Sequence, residues 1–170
     1  MSTKNLSEVT RSLILAEIKA KLPTQLANVR TLRGDAAVST EPPQSGSFFI
    51  YEPSGGYRAP AIWAVVDNID FRVAVKGANH VNATVEIHVN AVVEDRLKES
   101  LIIKCERYQS ALHEILNQTI LEDAGQKVKI VTIVNRALFS PEYSAGQDTS
   151  QGTFRKECAL ICNVEHYENL

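Results

Sequence analysis

The chain has 170 residues, of which 44% are hydrophobic and 22% are charged, with a formal net charge of −2. This length allows one domain with a sizeable core, and the composition is that of a globular rather than a disordered protein. The small negative charge excludes a global electrostatic attraction to nucleic acid or anionic membranes. No apolar run approaches the ~20 residues of a spanning helix. We expect no secretory signal and three reduced cysteines.

The first predicted element is an amphipathic helix over residues 6–22. Its apolar side chains recur at spacings of three and four, which places them on one helical face: Leu6, Val9, Leu13, Ile14, Ile18 and Leu22. Pro23 predicts either a break after this stretch or the start of a second short helix. Residues 32–47 (LRGDAAVSTEPPQSGS) are rich in proline, glycine and serine and predict an irregular arm.

Strands are predicted from residue 48 onward. A short strand at 48–52 (FFIYE) precedes a loop at 53–60, and the segments AIWAVV and IDFRVAV follow. Asp67 and Asn68 separate these two segments. They are consistent with either a turn between two strands or a bend in one long strand.

Residues 81–94 (VNATVEIHVNAVVE) carry the clearest strand pattern. Apolar and polar residues alternate along the segment, which predicts one face in the core and one face toward solvent or a partner. A strand of this length spans roughly 45 Å at 3.3 Å per residue. It is longer than a small domain needs, so we expect it to extend beyond its own sheet.

The remaining segments predict a second helix and two further strands. Asp95 is the expected cap of a helix over 96–121, whose apolar face includes Leu97, Leu101 and Cys105. Residues 127–135 (KVKIVTIVN) are apolar on both faces and predict a central strand. Residues 140–152 predict a second irregular arm, and a closing strand follows at 153–167. The expected fold is a single α+β domain, 1–170, with a mainly antiparallel sheet and two helices packed on one face.

Cys158, Cys162 and His166 have the four-residue spacing of a helical metal site. A helix would bring them together, whereas a strand separates neighbouring members by about 13 Å, too far for Zn–S bonds of ~2.3 Å. The β-branched and alternating residues around them favour a strand. We therefore expect the two cysteines to be small core residues, and His166 to lie at the surface or in an interface.

Other candidate residues have simpler explanations than catalysis. Cys105 lies on an apolar helical face, where a buried inert thiol is expected. The pairs Glu86–His88 and His113–Glu114 have the composition of an acid–base pair, but a polar surface explains both. No nucleophile, phosphate-loop or metal motif is present. We predict no enzyme activity and no catalytic, cofactor-binding or metal-binding residue.

The order of elements resembles the tail terminator and neck proteins of tailed bacteriophages. The segments that carry the resemblance are RAPAIWAVV (58–66), ERYQSALHEILNQ (106–118) and ECALICNVEHYE (157–168), which resemble a strand after a loop, the central helix and the closing strand. The resemblance is one of pattern and topology and brings no ligand residue with it. It implies a virion protein, made in the host cytoplasm, that forms a ring, often a hexamer, on the tail tube and joins it to connector or neck proteins.

Two further observations agree with a homo-oligomeric ring. Residues 1–33 are mainly basic and residues 140–170 mainly acidic, which is complementary for head-to-tail contacts. The two irregular arms, at about 32–47 and 140–152, are expected to contact neighbours. The alternatives are a head-completion, connector or minor tail protein, and a small-molecule-binding or catalytic α+β domain. No membrane partner and no sequence-specific nucleic-acid binding are expected.

Overall fold

A computed structural model describes residues 6–34, 38–72, 80–123, 126–144 and 153–169. The elements in chain order are α1 (Leu6–Arg33), β1 (Phe48–Phe49), β2 (Ala61–Arg72), β3 (His80–Asp95), α2 (Lys98–Leu116), β4 (Ile120–Asp123), β5 (Gln126–Ser144) and β6 (Phe154–Asn169). The strands form one sheet in the order β1-β2-β3-β6-β5-β4. Only β1 and β2 pair in parallel. The predicted α+β class with a mainly antiparallel sheet is confirmed.

Strands β3 and β6 form the centre of the sheet. They pair without a register shift from His80↔Asn169 to Asp95↔Phe154. The predicted core face of β3 is confirmed for its described side chains, which include the fully buried Val85, Ile87 and Val89. The prediction that 127–135 is central is confirmed only in part. β5 lies between β6 and the end strand β4, but β4 pairs with it only from Gln126 to Lys129. An apolar strand indicates that both faces are covered, and it does not indicate how many strands flank it.

Helix α1 continues well beyond its predicted end. It passes through Pro23 and reaches Arg33, a length of 28 residues. A proline inside a helix removes one hydrogen bond and costs about 3 kcal/mol. Leu22, Leu26 and Val29 are all buried and extend the apolar stripe at the same spacing. Burial of that stripe favours the continuous helix, and this is why the break predicted at Pro23 is wrong.

Helix α2 is shorter at both ends than predicted. It begins at Lys98, with Leu97 and not Asp95 at the N-cap, although an Asp95 carboxylate oxygen accepts a hydrogen bond from the Leu97 amide at 2.9 Å. It ends at Leu116, and Gln118 then adopts a left-handed conformation with φ 55°. The turn leads into β4, a strand that the sequence did not predict. The apolar Leu121, which extended the predicted helix, belongs to β4.

Strand β2 resolves the ambiguity at Asp67 and Asn68. It is one continuous strand of 12 residues. Its pairing with β3 shifts between Val66 and Asn68, which leaves Asp67 as the extra residue of a β-bulge. The bend in one long strand is therefore correct, and no turn separates two strands here.

Both helices pack on the same face of the sheet, as predicted. One buried cluster joins Ile14, Ile18 and Leu22 of α1 and Leu101, Tyr108 and Leu112 of α2 to the inward side chains of β3 and β6. This cluster fills the space between the helices and the sheet. None of the helices in the described part of the chain has the length and hydropathy required to cross a bilayer.

The boundaries of the two predicted arms differ in the structure. Residues 32 and 33 belong to α1, and residues 38–47 are irregular. Strand β5 continues to Ser144, so the first five residues of the segment 140–152 are extended and paired with β6 in part. Residues 145–152 lie outside the described residues.

The continuation of α1 past Pro23 predicts different effects for two leucines of the same helix. Leu26 is 1% exposed and Leu32 is 86% exposed. Leu26→Ala should lower the free energy of unfolding by about 2–5 kcal/mol, because it leaves a cavity in the core. Leu32→Ala should change it by less than about 0.5 kcal/mol. Urea unfolding monitored by circular dichroism measures both, and equal effects would contradict the continuous buried stripe.

Candidate functional site

The cysteine–histidine stretch lies on β6, in the strand conformation that the sequence predicted. Cys158 and Cys162 are fully buried on the same face as Leu160 and Val164. His166 is 1% exposed on that face, so the predicted surface position is wrong for this residue. A place near the chain end suggests the surface, but the alternation of β6 keeps the His166 side chain on the core side.

The pKa values of the Cys158 and Cys162 thiols are both raised. A hydrogen bond with the Cys105 side chain and burial raise the pKa of Cys158 well above its ordinary value, and its Sγ also lies 3.7 Å from the Cys105 carbonyl oxygen. Burial raises the pKa of Cys162 to about 12. Because thiolates are the nucleophiles and metal ligands, neither residue is prepared for such chemistry. They are packing residues between α2 and the sheet.

A polar cleft of about 440 Å³ lies where α2, the end of β3 and two irregular segments meet. Its charged lining residues are Glu41, Arg58, Glu94, Asp95, Arg96 and Lys104. The Lys104 ammonium lies 2.7 Å from the Asp95 carboxylate, and the Arg155 guanidinium lies 2.9 Å from that of Glu94. No histidine or cysteine is among the described residues that line the cleft. The two ion pairs connect the elements that border the cleft.

Asp95 is the best-connected carboxylate of the cleft. Burial acts to raise its pKa, but hydrogen bonds from Lys104 and from the Leu97 amide act against it, and the pKa lies below its ordinary value of 3.8. Lys104 also donates to the Glu94 carbonyl oxygen at 3.0 Å. These contacts fix the first turn of α2 to the end of β3.

Residues 38–47, here called the docked segment, lie against the protein's own helices. Arg107 donates to the Val38 carbonyl at 2.5 Å, Tyr108 donates its hydroxyl hydrogen to the Glu41 carbonyl, and Lys19 donates to the Ser45 carbonyl at 3.1 Å. Val38 and Ser47 are buried. The Ser47 carbonyl accepts a hydrogen bond from the Ile62 amide at 2.9 Å, which joins the segment to β2. This part of the predicted arm is thus held by contacts within the subunit.

The outer face of the sheet is divided into a covered end and an open end. At the covered end Phe49, Tyr57 and Trp63 form a chain of ring contacts with centroids 6.0–6.2 Å apart. The Arg155 guanidinium lies 5.4 Å from the Tyr57 ring centroid. Ala61 and Val92 are buried beneath this aromatic cluster. The polar alternation of β3 did not reveal it, because the covering rings come from β1, β2 and the loop between them.

The open end holds the pair Glu86 and His88. Their side chains lie 3.4 Å apart and are 38% and 24% exposed. The β-bulge brings Asp67 next to them, a residue that the sequence analysis did not connect with the pair. The other predicted pair, His113 and Glu114, is 3.9 Å apart on α2. The structure therefore brings a third ligand-type residue to the first pair.

Two stretches of sheet edge lack a neighbouring strand in the described part of the chain. β1 pairs only with Ile62 and Trp63, so β2 from Ala64 to Arg72 has β3 as its one described neighbour. At the other end, β4 pairs with β5 only from Gln126 to Lys129. Large exposed apolar side chains occur near the elements' ends: Leu32, Tyr51, Leu97, Ile102 and Ile120. Open edges and exposed apolar groups are the features that associating subunits use.

No protein-family model matches the chain, and no curated protein matches it. Among solved structures, the chain is similar to one described as "Virion of native gene transfer agent (GTA) particle". That match has a TM-score of 0.37 and 11% sequence identity, and it covers 87% of this chain and 97% of the other. At that TM-score the similarity carries no argument about fold or function.

We predict that the hydrogen bond from Tyr108 stabilises the docked segment against local opening. Tyr108→Phe keeps the buried ring and removes the donor to the Glu41 carbonyl, so it should cost about 0.5–1.5 kcal/mol. Amide hydrogen exchange within 38–47 should become faster by the factor to which that loss of free energy corresponds. Tyr51→Phe is the matched control, since that side chain is 60% exposed. Unchanged exchange in 38–47 would show that this contact does not hold the segment.

The pKa of Asp95 predicts a pH-dependent contribution to stability. Because the pKa is lowered in the folded state, the contribution is present above the unfolded pKa of about 3.9 and is lost as pH falls through the folded pKa. Asp95→Asn should therefore be less stable than the wild type at pH 7, and the difference should shrink below about pH 4. Lys104→Met, which removes the partner, should follow the same course. Urea unfolding from pH 7 to 3 measures this, and a constant difference would contradict it.

Proposed function

We propose that the chain is a non-enzymatic structural protein of a phage-like virion, a tail terminator that forms a ring on the tail tube and joins it to the head or neck. The proposal starts from the resemblance of the three segments to tail terminator and neck proteins. The observation that carries it is the pair of open sheet edges, on β2 and on β5, at opposite ends of one sheet. A subunit with two such edges can repeat head to tail.

The proposed mechanism is a heterologous contact between identical subunits. The β2 edge of one subunit approaches the β5 edge of the next, and successive contacts continue until the rotation closes. The long strands and the two-stranded centre give each subunit a rigid frame, so that the same rotation can relate every subunit to the next. Within this proposal the whole chain, 1–170, acts as one domain, and its partners are copies of itself, the tail tube protein and connector or neck proteins.

The docked segment changes the role proposed for the first arm. Its contacts with Arg107, Tyr108 and Lys19 support a structural role inside the subunit. Of the two arms, the region 140–152 remains the one proposed to contact neighbours, because it begins on β5 next to the open edge. The virion location and the terminator position belong to the same proposal.

The alternatives differ in what they require of the molecule. A head-completion, connector or minor tail protein would use the same edges on a different virion partner. A small-molecule-binding or catalytic domain would require a cavity between the helices and the sheet, and the core cluster fills that space in the described part of the chain. The polar cleft is one surface cavity that such a role could use.

Negative-stain imaging of the purified protein tests the proposal. Rings of uniform diameter that bind to purified tail tubes are expected. If the protein is a monomer in light scattering and also fails to bind tails, the terminator role is excluded. Rings that bind isolated heads but not tails would favour the head-completion alternative.

A proline variant tests the edge contact itself. The Ile62 amide points away from β3, toward Ser47. Amides along a strand point alternately to its two sides, so the amide of Val66, four residues later, also points away from β3, toward the open edge. Val66→Pro removes an outward donor from the edge without removing a pairing with β3, and it should abolish ring formation in a folded subunit. Ser54→Pro, in the exposed loop before β2, is the control and should leave rings intact. Rings formed equally by both variants would exclude the β2 edge as the contact.

A further inference from the structure

We propose that Asp67, Glu86 and His88 form a binding site for a divalent transition-metal ion of the Zn²⁺, Co²⁺ and Ni²⁺ class. One ligand atom from each residue lies within 4.8 Å of the others. This is the one such group of three among the described residues. The inference is independent of the proposed virion role, since it depends on these three side chains alone.

The backbone explains why the three side chains meet. Glu86 and His88 are two residues apart on β3, so they project from the same face of the sheet. On β2, Asn68 pairs with Glu86 and Val66 pairs with Ile87, and Asp67 is the residue left over in the bulge. A bulge directs an extra side chain toward the residue opposite it. Here it adds a carboxylate to the outer face at the position of Glu86.

The distances are within reach of metal coordination. Oxygen and nitrogen ligands bind Zn²⁺ at about 2.0–2.2 Å, so two ligands of a tetrahedral ion lie about 3.3–3.6 Å apart. The Glu86 and His88 atoms, at 3.4 Å, already have this separation. The Asp67 atom lies within 4.8 Å of both and needs to approach by at most about 1.5 Å. Asp67 is exposed and the other two side chains are partly exposed, so rotation about their χ angles suffices.

The chemistry of the three groups selects the class of ion. Imidazole nitrogen favours Zn²⁺, Co²⁺ and Ni²⁺ over Mg²⁺ and Ca²⁺, which prefer oxygen ligands alone. Two carboxylates neutralise the charge of a dication. Glu86 has an ion-pair geometry with His88, at 3.4 Å, and His88 is itself one of the three proposed ligands. Water would occupy the remaining coordination positions, because the site faces solvent.

Titration of the full-length, untagged chain with Co²⁺ tests the site. One equivalent should bind with a visible absorption typical of nitrogen and oxygen ligands, and Zn²⁺ should displace it. His88→Ala and Asp67→Asn should each weaken Co²⁺ binding by at least about tenfold, the lower limit measured even for residues that only support a ligand. Zn²⁺ should also raise the melting temperature of the wild type and not that of His88→Ala.

His113→Ala is the matched control, since His113 also lies beside a glutamate, at 3.9 Å, but outside the three-residue group. It should bind Co²⁺ like the wild type. Circular dichroism establishes that each variant is folded. Absence of stoichiometric binding by the wild type, equal binding by His88→Ala and the wild type, or a thiolate-to-cobalt charge-transfer band would each overturn the proposal.

Discussion

The uninterrupted pairing of β3 with β6 sets the position of almost every other element. Each strand has 16 residues, and the pairing runs along their whole length in one register. A single register keeps the described alternate side chains of both strands on the core side, where a slip of one residue would expose them. Both helices then cover this apolar strip, and β2 and β5 add to its two sides. The remaining outer surfaces are those available for function.

The outer face of the sheet has a covered end and an open end because different segments lie beside each of them. Phe49 of β1, Tyr57 of the loop before β2 and Trp63 of β2 cover one end with aromatic rings, while the bulge adds Asp67 to the polar, open end. The docked segment lies against the helices and is held there by hydrogen bonds that side chains of α2 donate. Open edges and an open polar patch are thus left on a frame whose interior is filled. This arrangement suits a protein that acts through its surfaces.

The sequence predicted those parts of the fold that depend on local periodicity. The alternation of β3, the strand conformation around Cys158 and the apolar stripe of α2 from Leu101 onward are confirmed, whereas Leu97 of the predicted stripe is exposed. The errors occur where tertiary contacts outweigh a local signal. Burial of Leu26 extends α1 through Pro23. A left-handed residue at Gln118 starts β4, and side chains of α2 hold a proline-rich segment that composition alone describes as an arm. Asp67 joins Glu86 and His88 only through the bulge, which depends on strand register and has no sequence motif.

Native-state hydrogen exchange tests the central claim that β3 and β6 are the frame of the molecule. The amides of Ile87, Val89, Leu160 and Cys162 should exchange only through global unfolding, with a free energy of exchange equal to the free energy of unfolding measured in urea. Amides of β1 and β4 should exchange through smaller local openings. Exchange of the β3 and β6 amides at a free energy well below that of global unfolding, or faster than the amides of α2, would contradict the account.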